Sequence, residues 1–329
     1  MAALARLRLS GARWLALGWL AAVLLVAALA PWLPLAFPPA LPDLAHVAQA
    51  PFGPGAHWLG TDLQGRDVLS NLVFGARTAV LLTLPAALLA TLLGMLLGGA
   101  AGFWGNQGRW PVSYWLLAAG GTWWALGLPA SGVGLAAAAV GAAGCLAAAR
   151  WPRRPQPTWP VPLDAVVLGA AAALDAVPRL LLVLALAAVT EVSAPGMLVL
   201  LTLTAWPHPA RLVRAQMLRV RSLPYVDAAR AAGLPAGRVW WRHALLPAAQ
   251  PLRAAFPLSI AGLLGLESTL SFLGVGLPPD VASWGHLLSS ARNDPSAWWV
   301  FLGPSVCLAG TTLSLAALAR WPPNTPNRR

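Results

Sequence analysis

The sequence predicts an all-α, polytopic membrane protein of about eight transmembrane helices, and three observations carry that prediction. Of 329 residues, 58% are hydrophobic and only 10% are Asp, Glu, Lys or Arg, whereas soluble domains average about a quarter charged. Uncharged runs long enough to cross a bilayer recur along the chain, the longest being the 40 residues from Trp110 to Ala149. The arginines gather in alternate connections between those runs, the pattern of loops on the cytoplasmic side of a membrane. With a mean hydropathy of +0.67, a disordered chain is excluded and an ordinary soluble enzyme is disfavoured.

A hydrocarbon core about 30 Å thick needs about 20 apolar residues at 1.5 Å rise each. The first such run, from Trp14 to about Pro34, follows Arg6, Arg8 and Arg13. Ala28-Leu29-Ala30 resembles a signal-peptide cleavage site, but Pro31 is unfavourable there and the apolar run continues to Phe37, so a retained signal anchor is expected. The second span is predicted near 79–104. Gly127, Pro129, Gly132 and Gly134 break the long run after Trp110 into a helical hairpin, about 112–128 and 131–149. Further spans are predicted at about 165–189, 193–210, 254–276 and 297–319.

Alternating the loops places 18 arginines on one side, three (Arg66, Arg77, Arg292) on the other, and Arg179 within the membrane. Six of the ten acids, Asp43, Asp62, Asp67, Glu191, Asp280 and Asp294, fall on the Arg-poor side. Both termini are therefore expected in the cytoplasm, which an even number of spans requires. The +12 net charge reads as topology, and nucleic acid is not expected as a partner.

All 22 basic residues are arginine. The absence of lysine excludes a Walker A phosphate loop, a Schiff-base enzyme and a Ser-x-x-Lys hydrolase. Cys145 and Cys307 lie in apolar stretches and make neither a disulfide framework nor a cysteine zinc site. Ser131-Gly132 in the apolar hairpin raises an intramembrane hydrolase, but no later span offers a usable histidine. His46, His57, His208, His243 and His286 are scattered; His57 and His286 share the Arg-poor side, but two histidines without a ligand set are poor metal evidence. No catalytic residue and no metal site are expected.

Three connections are long. The first outer loop (about 35–78) contains Gly60-Thr61-Asp62 and Gly65-Arg66-Asp67, and the last (about 277–296) contains Ser283-Trp284-Gly285. The inner loop of about 211–253 carries eight arginines around a small-residue helix, Tyr225-Val226-Asp227-Ala228-Ala229-Arg230-Ala231-Ala232-Gly233. Ser222 and Pro224 mark its start, Asp227 suits the positive end of its dipole, and Gly233-Leu234-Pro235 ends it. Its alanines leave a nearly bare surface that a partner's groove can approach closely.

Four segments, in order and on the appropriate sides, resemble the permease subunits of bacterial dipeptide, oligopeptide and nickel ABC importers, in the second-permease branch. They are His57–Ala76, the Tyr225–Pro247 region that is similar to the family's cytoplasmic EAA loop, Glu267-Ser268-Thr269-Leu270-Ser271-Phe272-Leu273-Gly274-Val275-Gly276, and Ser283-Trp284-Gly285. With the spans between them they cover roughly 200 residues. The resemblance implies a six-helix permease core, a second homologous permease subunit, two cytosolic ABC ATPases and an extracytoplasmic solute-binding protein. It implies that Tyr225, Asp227, Ala228, Ala229 and Gly233 form an ATPase-coupling helix, and that ATP and magnesium are bound by the partner ATPases and no cofactor by this chain. The chain itself is then no enzyme but a multi-pass subunit of the cell (inner) membrane, driving peptide translocation by alternating access.

The chain departs from the family pattern in having Asp227 where glutamate is usual, one extra residue before Leu246-Pro247, a hairpin inserted at 106–163 in place of a short cytoplasmic turn, and a shortened tail after Arg320. The organisation is accordingly 1–56 signal-anchor helix and start of the outer loop, 57–105 outer-loop motif and second span, 106–163 inserted hairpin, 164–319 permease core, and 320–329 tail. Charges within spans are candidates for a translocation path or gate. Asp175 and Arg179 stand at i and i+4, the spacing of a self-neutralising pair on one helix. Glu267 has no basic partner at helical spacing and is open to the other permease, a water-filled cavity, or hydration near the outer end. A secondary transporter without an ATPase is the alternative, although no inverted repeat supports it. Nickel or another small solute is the alternative to peptide.

Overall fold

A computed structural model describes residues 2–39, 41–53, 56–106, 108–111, 158–189, 193–292 and 296–320. The fold is helical, with one short two-stranded ribbon that the all-α expectation did not include.

Helix α1 (Ala2–Leu29) leads into a 3₁₀ turn, Ala30–Trp32. The turn coincides with Pro31, whose ring disfavours helical backbone at the preceding residue. Helix α2 (Val68–Trp104) has 37 residues, about 55 Å at the helical rise. It begins well before the expected 79 because Asp67 caps it: the Asp67 carboxylate accepts from the Ser70 amide at 2.7 Å. The residues from Val68 to Thr78, read from sequence as loop, are its first turns.

Strands β1 (Gly108–Pro111) and β2 (Thr158–Val161) pair antiparallel, Gly108 opposite Val161 and Pro111 opposite Thr158. The two predicted hairpin helices lie outside the described residues. After the ribbon, α3 (Leu163–Ala176) and α4 (Arg179–Val189) replace the continuous span expected at 165–189. The chain bends by 82° between them, where Val177, preceding Pro178, is extended at φ −102° and ψ 129°. Helix α5 (Ala194–Ala205) is followed, across a break at Trp206, by α6 (Pro207–Val220). The helical path thus passes well beyond the expected end at 210.

Short helices α7 (Pro224–Ala231), α8 (Ala236–Val239) and α9 (Leu245–Ala248) follow, a π-turn over Trp240–Ala244 joining the last two. Helices α10 (Leu252–Phe272), α11 (Trp284–Ala291) and α12 (Trp298–Ala319) complete the described fold. Among the described residues four helices are long and apolar enough to cross a membrane, or five if the bent α3–α4 pair counts as one span.

Helix α2 is the axis of the structure. Gly94, Gly98 and Gly102 recur every fourth residue and so share one face. A Cβ on Gly98 would collide with the Ala210 backbone, and one on Gly102 would sit 2.7 Å from Met217 Cβ. Small residues at this spacing let helix backbones touch, the packing mode available where lipid removes the hydrophobic drive. One buried cluster joins Leu82, Ala86 and Ala90 of α2 to Val183, Met197, Leu201, Leu263 and Leu270. A second joins Phe103 at the end of α2 to Val213, Met217, Val220, Val226, Val239, Leu245 and Leu252.

Candidate functional site

Helix α7 is a rod set on the second cluster by its own ends. Leu223 precedes it in extended conformation and Pro224 opens it, the position where a missing N–H is harmless. Ser222 is not the cap: its hydroxyl donates to the Arg219 carbonyl at 3.0 Å. At the other end Gly233 adopts φ +76°. Its amide donates to Arg230 O at 2.9 Å and the Leu234 amide to Ala229 O at 3.3 Å, the paired bonds of a Schellman ending. Ala229 and Leu234 both pack on the buried cluster.

Val226 is fully buried at 0% exposure among side chains from α2, α6, α8, α9 and α10. Arg230 bonds Asp227 at 3.2 Å and lies 5.3 Å from the Phe103 ring centre, tying the rod to the end of α2. Tyr225, Asp227, Ala228, Ala231, Ala232 and Gly233 are exposed. The rod therefore presents one bare alanine face outward and is packed through the other against residues of α2, α6 and α10.

The segment before α2 folds into a knot in which every residue of the Gly-Thr-Asp…Gly-Arg-Asp motif is bonded or sterically required. Gly60 and Gly65 both sit at φ +75°, and a Cβ on either would strike a backbone carbonyl, that of Gln49 or of Asp43. The Thr61 hydroxyl donates to His46 O and accepts from the Gln49 amide. Asp62 accepts from the amides of Gln64 and Arg66, both at 2.8 Å, and Arg66 donates to the Pro279 carbonyl at 2.8 Å. Asp67 accepts from Ser70 with one oxygen and meets His57 Nδ1 at 3.0 Å with the other. Asp43, His46 and His57 bring ligating atoms within 4.8 Å of one another, a grouping the sequence reading missed. Its only local signal was the Asp43–His46 spacing of three. Hydrogen bonds from His46, the Ala45 amide and His57 hold the Asp43 carboxyl below its ordinary range.

The two remaining motifs, Glu267–Gly276 and Ser283-Trp284-Gly285, converge on the junction of α2, α10 and α11. The Trp284 indole donates to Leu72 O at 3.0 Å and lies on Gly75, where a Cβ would come within 2.7 Å of the ring. Gly285 lets α11 approach α10 so closely that a Cβ there would overlap the Ser268 carbonyl. Beneath this contact Glu267 is buried and accepts from Ser271 at 2.9 Å and Ser268 at 3.2 Å. Its partners are serines of its own chain.

The expected Asp175–Arg179 pair on one helix does not form. The bend at Pro178 puts the two on different helices, and Asp175 pairs with Arg211 of α6. Among the described residues His286 is not part of the histidine grouping; its Nδ1–H donates to the Val281 carbonyl at 3.1 Å.

Residues 142–321 match the family described as binding-protein-dependent transport system inner membrane component, more than half of the chain. A Brucella suis biovar 1 protein named as a peptide transport system permease is 29% identical over 295 residues, 89% of this chain and 79% of its own length. A second Brucella suis protein, named as a peptide permease, is 28% identical over 283 residues, 84% of this chain and 74% of its own length. A Sinorhizobium fredii protein named as a peptide ABC transporter permease is 34% identical over 156 residues, 47% of this chain and 54% of its own length.

Proposed function

The chain belongs to the family of binding-protein-dependent transport system inner membrane components, and from that premise we propose that it is a permease of a peptide importer whose exposed rod, α7, docks a cytosolic ATPase. It is a transport component and not an enzyme, and a multi-pass membrane protein. The names of its relatives support peptide as the cargo. The partners in this reading are a second permease subunit, two ATPases that bind ATP and magnesium, and a solute-binding protein.

One observation carries the coupling role. Val226 anchors α7 to a cluster containing residues of α2, α6 and α10, while Asp227, Ala228, Ala231, Ala232 and Gly233 face outward. A motor that grips the bare face and closes on ATP moves the rod, and the rod moves the helices beneath it. This is alternating access driven through a rigid element with two positions. Asp227, Ala228 and Gly233 make the contact in this reading, with Tyr225 at its edge and Ala229 on the inner side.

The reading includes eight crossings of the inner membrane with both termini in the cytosol. The arginine asymmetry supports it, as does the β1–β2 pairing, which brings the two ends of the segment 112–157 together as an inserted hairpin requires. Asp175, Arg179 and Glu267 remain its candidates for the path or gate. Asp175 acts there through Arg211.

Co-purification of the complex tests the coupling. Asp227→Arg reverses the exposed charge on the rod, and Gly233→Trp fills the open space beside it while straining the left-handed backbone. Each is expected to release the ATPase and abolish ATP-dependent uptake while leaving the permease in the membrane. Retention of both ATPase and uptake in the two variants would show that α7 is not the coupling element.

A further inference from the structure

Three ligating side chains that the transport reading does not use meet before the start of α2. Asp43 Oδ2 lies 2.8 Å from His46 Nδ1 and 3.3 Å from His57 Nε2. A tetrahedral zinc ion with bonds of about 2.0–2.1 Å sets its ligand atoms roughly 3.3 Å apart, so these separations suit a shared ion after small adjustment. His57 is 1% exposed, and its second nitrogen, Nδ1, is 3.0 Å from Asp67 Oδ1. Both ring nitrogens therefore face carboxylate oxygens. Nδ1 is directed to Asp67, and Nε2 stands on the Asp43 side of the ring, where a metal ion would meet it. A cation between Nε2 and Asp43 Oδ2 takes the place of the hydrogen bond that joins them and makes two ligand bonds.

The surroundings hold the donors in place. Asp67 is fixed by the Ser70 amide on its other oxygen, and a carboxylate behind a ligating imidazole is the arrangement that orients metal-bound histidine. Phe37 stacks on His57 with ring centres 3.9 Å apart, covering one face of the ring. Asp43 Oδ1 is taken by the Ala45 amide at 3.0 Å, leaving Oδ2 for an ion. The Asp43 amide is tied to Gly65 O at 2.8 Å, and the His46 carbonyl to the Thr61 hydroxyl. Asp43 and His46 are partly exposed, so a water has access as a fourth ligand.

The geometry assigns Asp43, His46 and His57 as a binding site for one divalent transition-metal ion of the zinc type. Two imidazoles and one carboxylate suit zinc or its neighbours and not the oxygen-seeking magnesium or calcium. Because Asp67 is at once the partner of His57 and the cap of α2, the ion fastens the 43–67 knot to the first turn of that helix.

The test uses the full-length, tag-free chain purified in detergent after EDTA treatment. Zn²⁺ alone is expected to bind as one equivalent by calorimetry and to raise the melting temperature, with no effect of Mg²⁺. Co²⁺ is expected to give the visible absorption of a low-coordinate histidine site, displaced by Zn²⁺. His46→Ala and Asp43→Asn are partly exposed changes, and the amide oxygen introduced by Asp43→Asn keeps the bond from the Ala45 amide. Both variants are expected to melt as wild type does in EDTA and to lose at least tenfold in affinity. Asp67→Asn, which retains a capping side chain, is expected to weaken binding about 10- to 100-fold. His286→Ala is expected to bind as wild type. Absence of stoichiometric Zn²⁺ binding, a Co²⁺ spectrum without nitrogen ligation in the wild-type chain, or unchanged affinity in His46→Ala and Asp43→Asn would overturn the assignment and leave an ordinary His46–Asp43 ion pair.

Discussion

Val226→Ala isolates the attachment of α7 from its outer face, because it alters only the buried side of the rod. The substitution removes two methyl groups from a site at 0% exposure. At about 0.8 kcal/mol per buried carbon, plus a term for the cavity left among Phe103, Met217 and Leu245, the loss is about 2–3 kcal/mol. If the rod lifts from its seat as a local unit, its open fraction rises roughly 30- to 150-fold, since about 1.4 kcal/mol is tenfold. Hydrogen exchange reads this directly. The amides of Ala232, Gly233 and Leu234, bonded to Ala228, Arg230 and Ala229, are expected to exchange faster by that factor, while amides around Leu263 to Leu270 in α10 are unchanged. Stimulation of the partner ATPase by transport substrate is expected to fall although every outward residue is intact. Unchanged exchange at residues 232–234 would refute the claim that Val226 holds the rod.

Two further outcomes follow from buried polar groups. Burial keeps the His286 pKa below its ordinary 6.5, so the native ring stays neutral where the unfolded ring takes a proton. Its contribution is complete above about pH 6.5 and is lost as pH falls from there toward the folded value; the melting temperature is expected to drop as pH falls below about 6.5, and His286→Asn to reduce that drop. At Glu267, the Gln variant keeps an oxygen to accept from Ser271 and presents its amide N–H to the Ser268 hydroxyl, which can accept, and is expected to retain uptake. Glu267→Leu is expected to lower uptake about tenfold or more with assembly largely kept, and wild-type uptake in that variant would remove Glu267 from the transport path.

The rod shows how far local chemistry is readable. Pro224 at its start and Gly233 at its end mark boundaries that the backbone keeps, because a missing amide hydrogen and a missing Cβ act within one turn. The cap of α2 was less visible: Asp67 stood inside a loop motif, and its bond to Ser70 distinguishes a loop from a helix start. The i, i+4 rule failed for Asp175 and Arg179 because it presumes an unbroken helix, and Pro178 breaks this one. By contrast Ser271 stands at i+4 from Glu267, a spacing legible in the sequence, and its hydroxyl is the neutral partner of a carboxylate that has no basic one at helical spacing.

The amino-acid sequence alone determined that this protein is built of long apolar helices with an arginine-rich connection carrying a small-residue rod. Hydrocarbon demands that each backbone amide be satisfied within its own helix, and that demand is written in composition and spacing. Tertiary structure alone decided that Asp175 reaches Arg211, that Gly75 receives Trp284, and that Asp43 and His46 gather around His57. Those contacts depend on the path of the chain between distant residues, and a path set by bends, close glycine crossings and long-range hydrogen bonds has no local period to read.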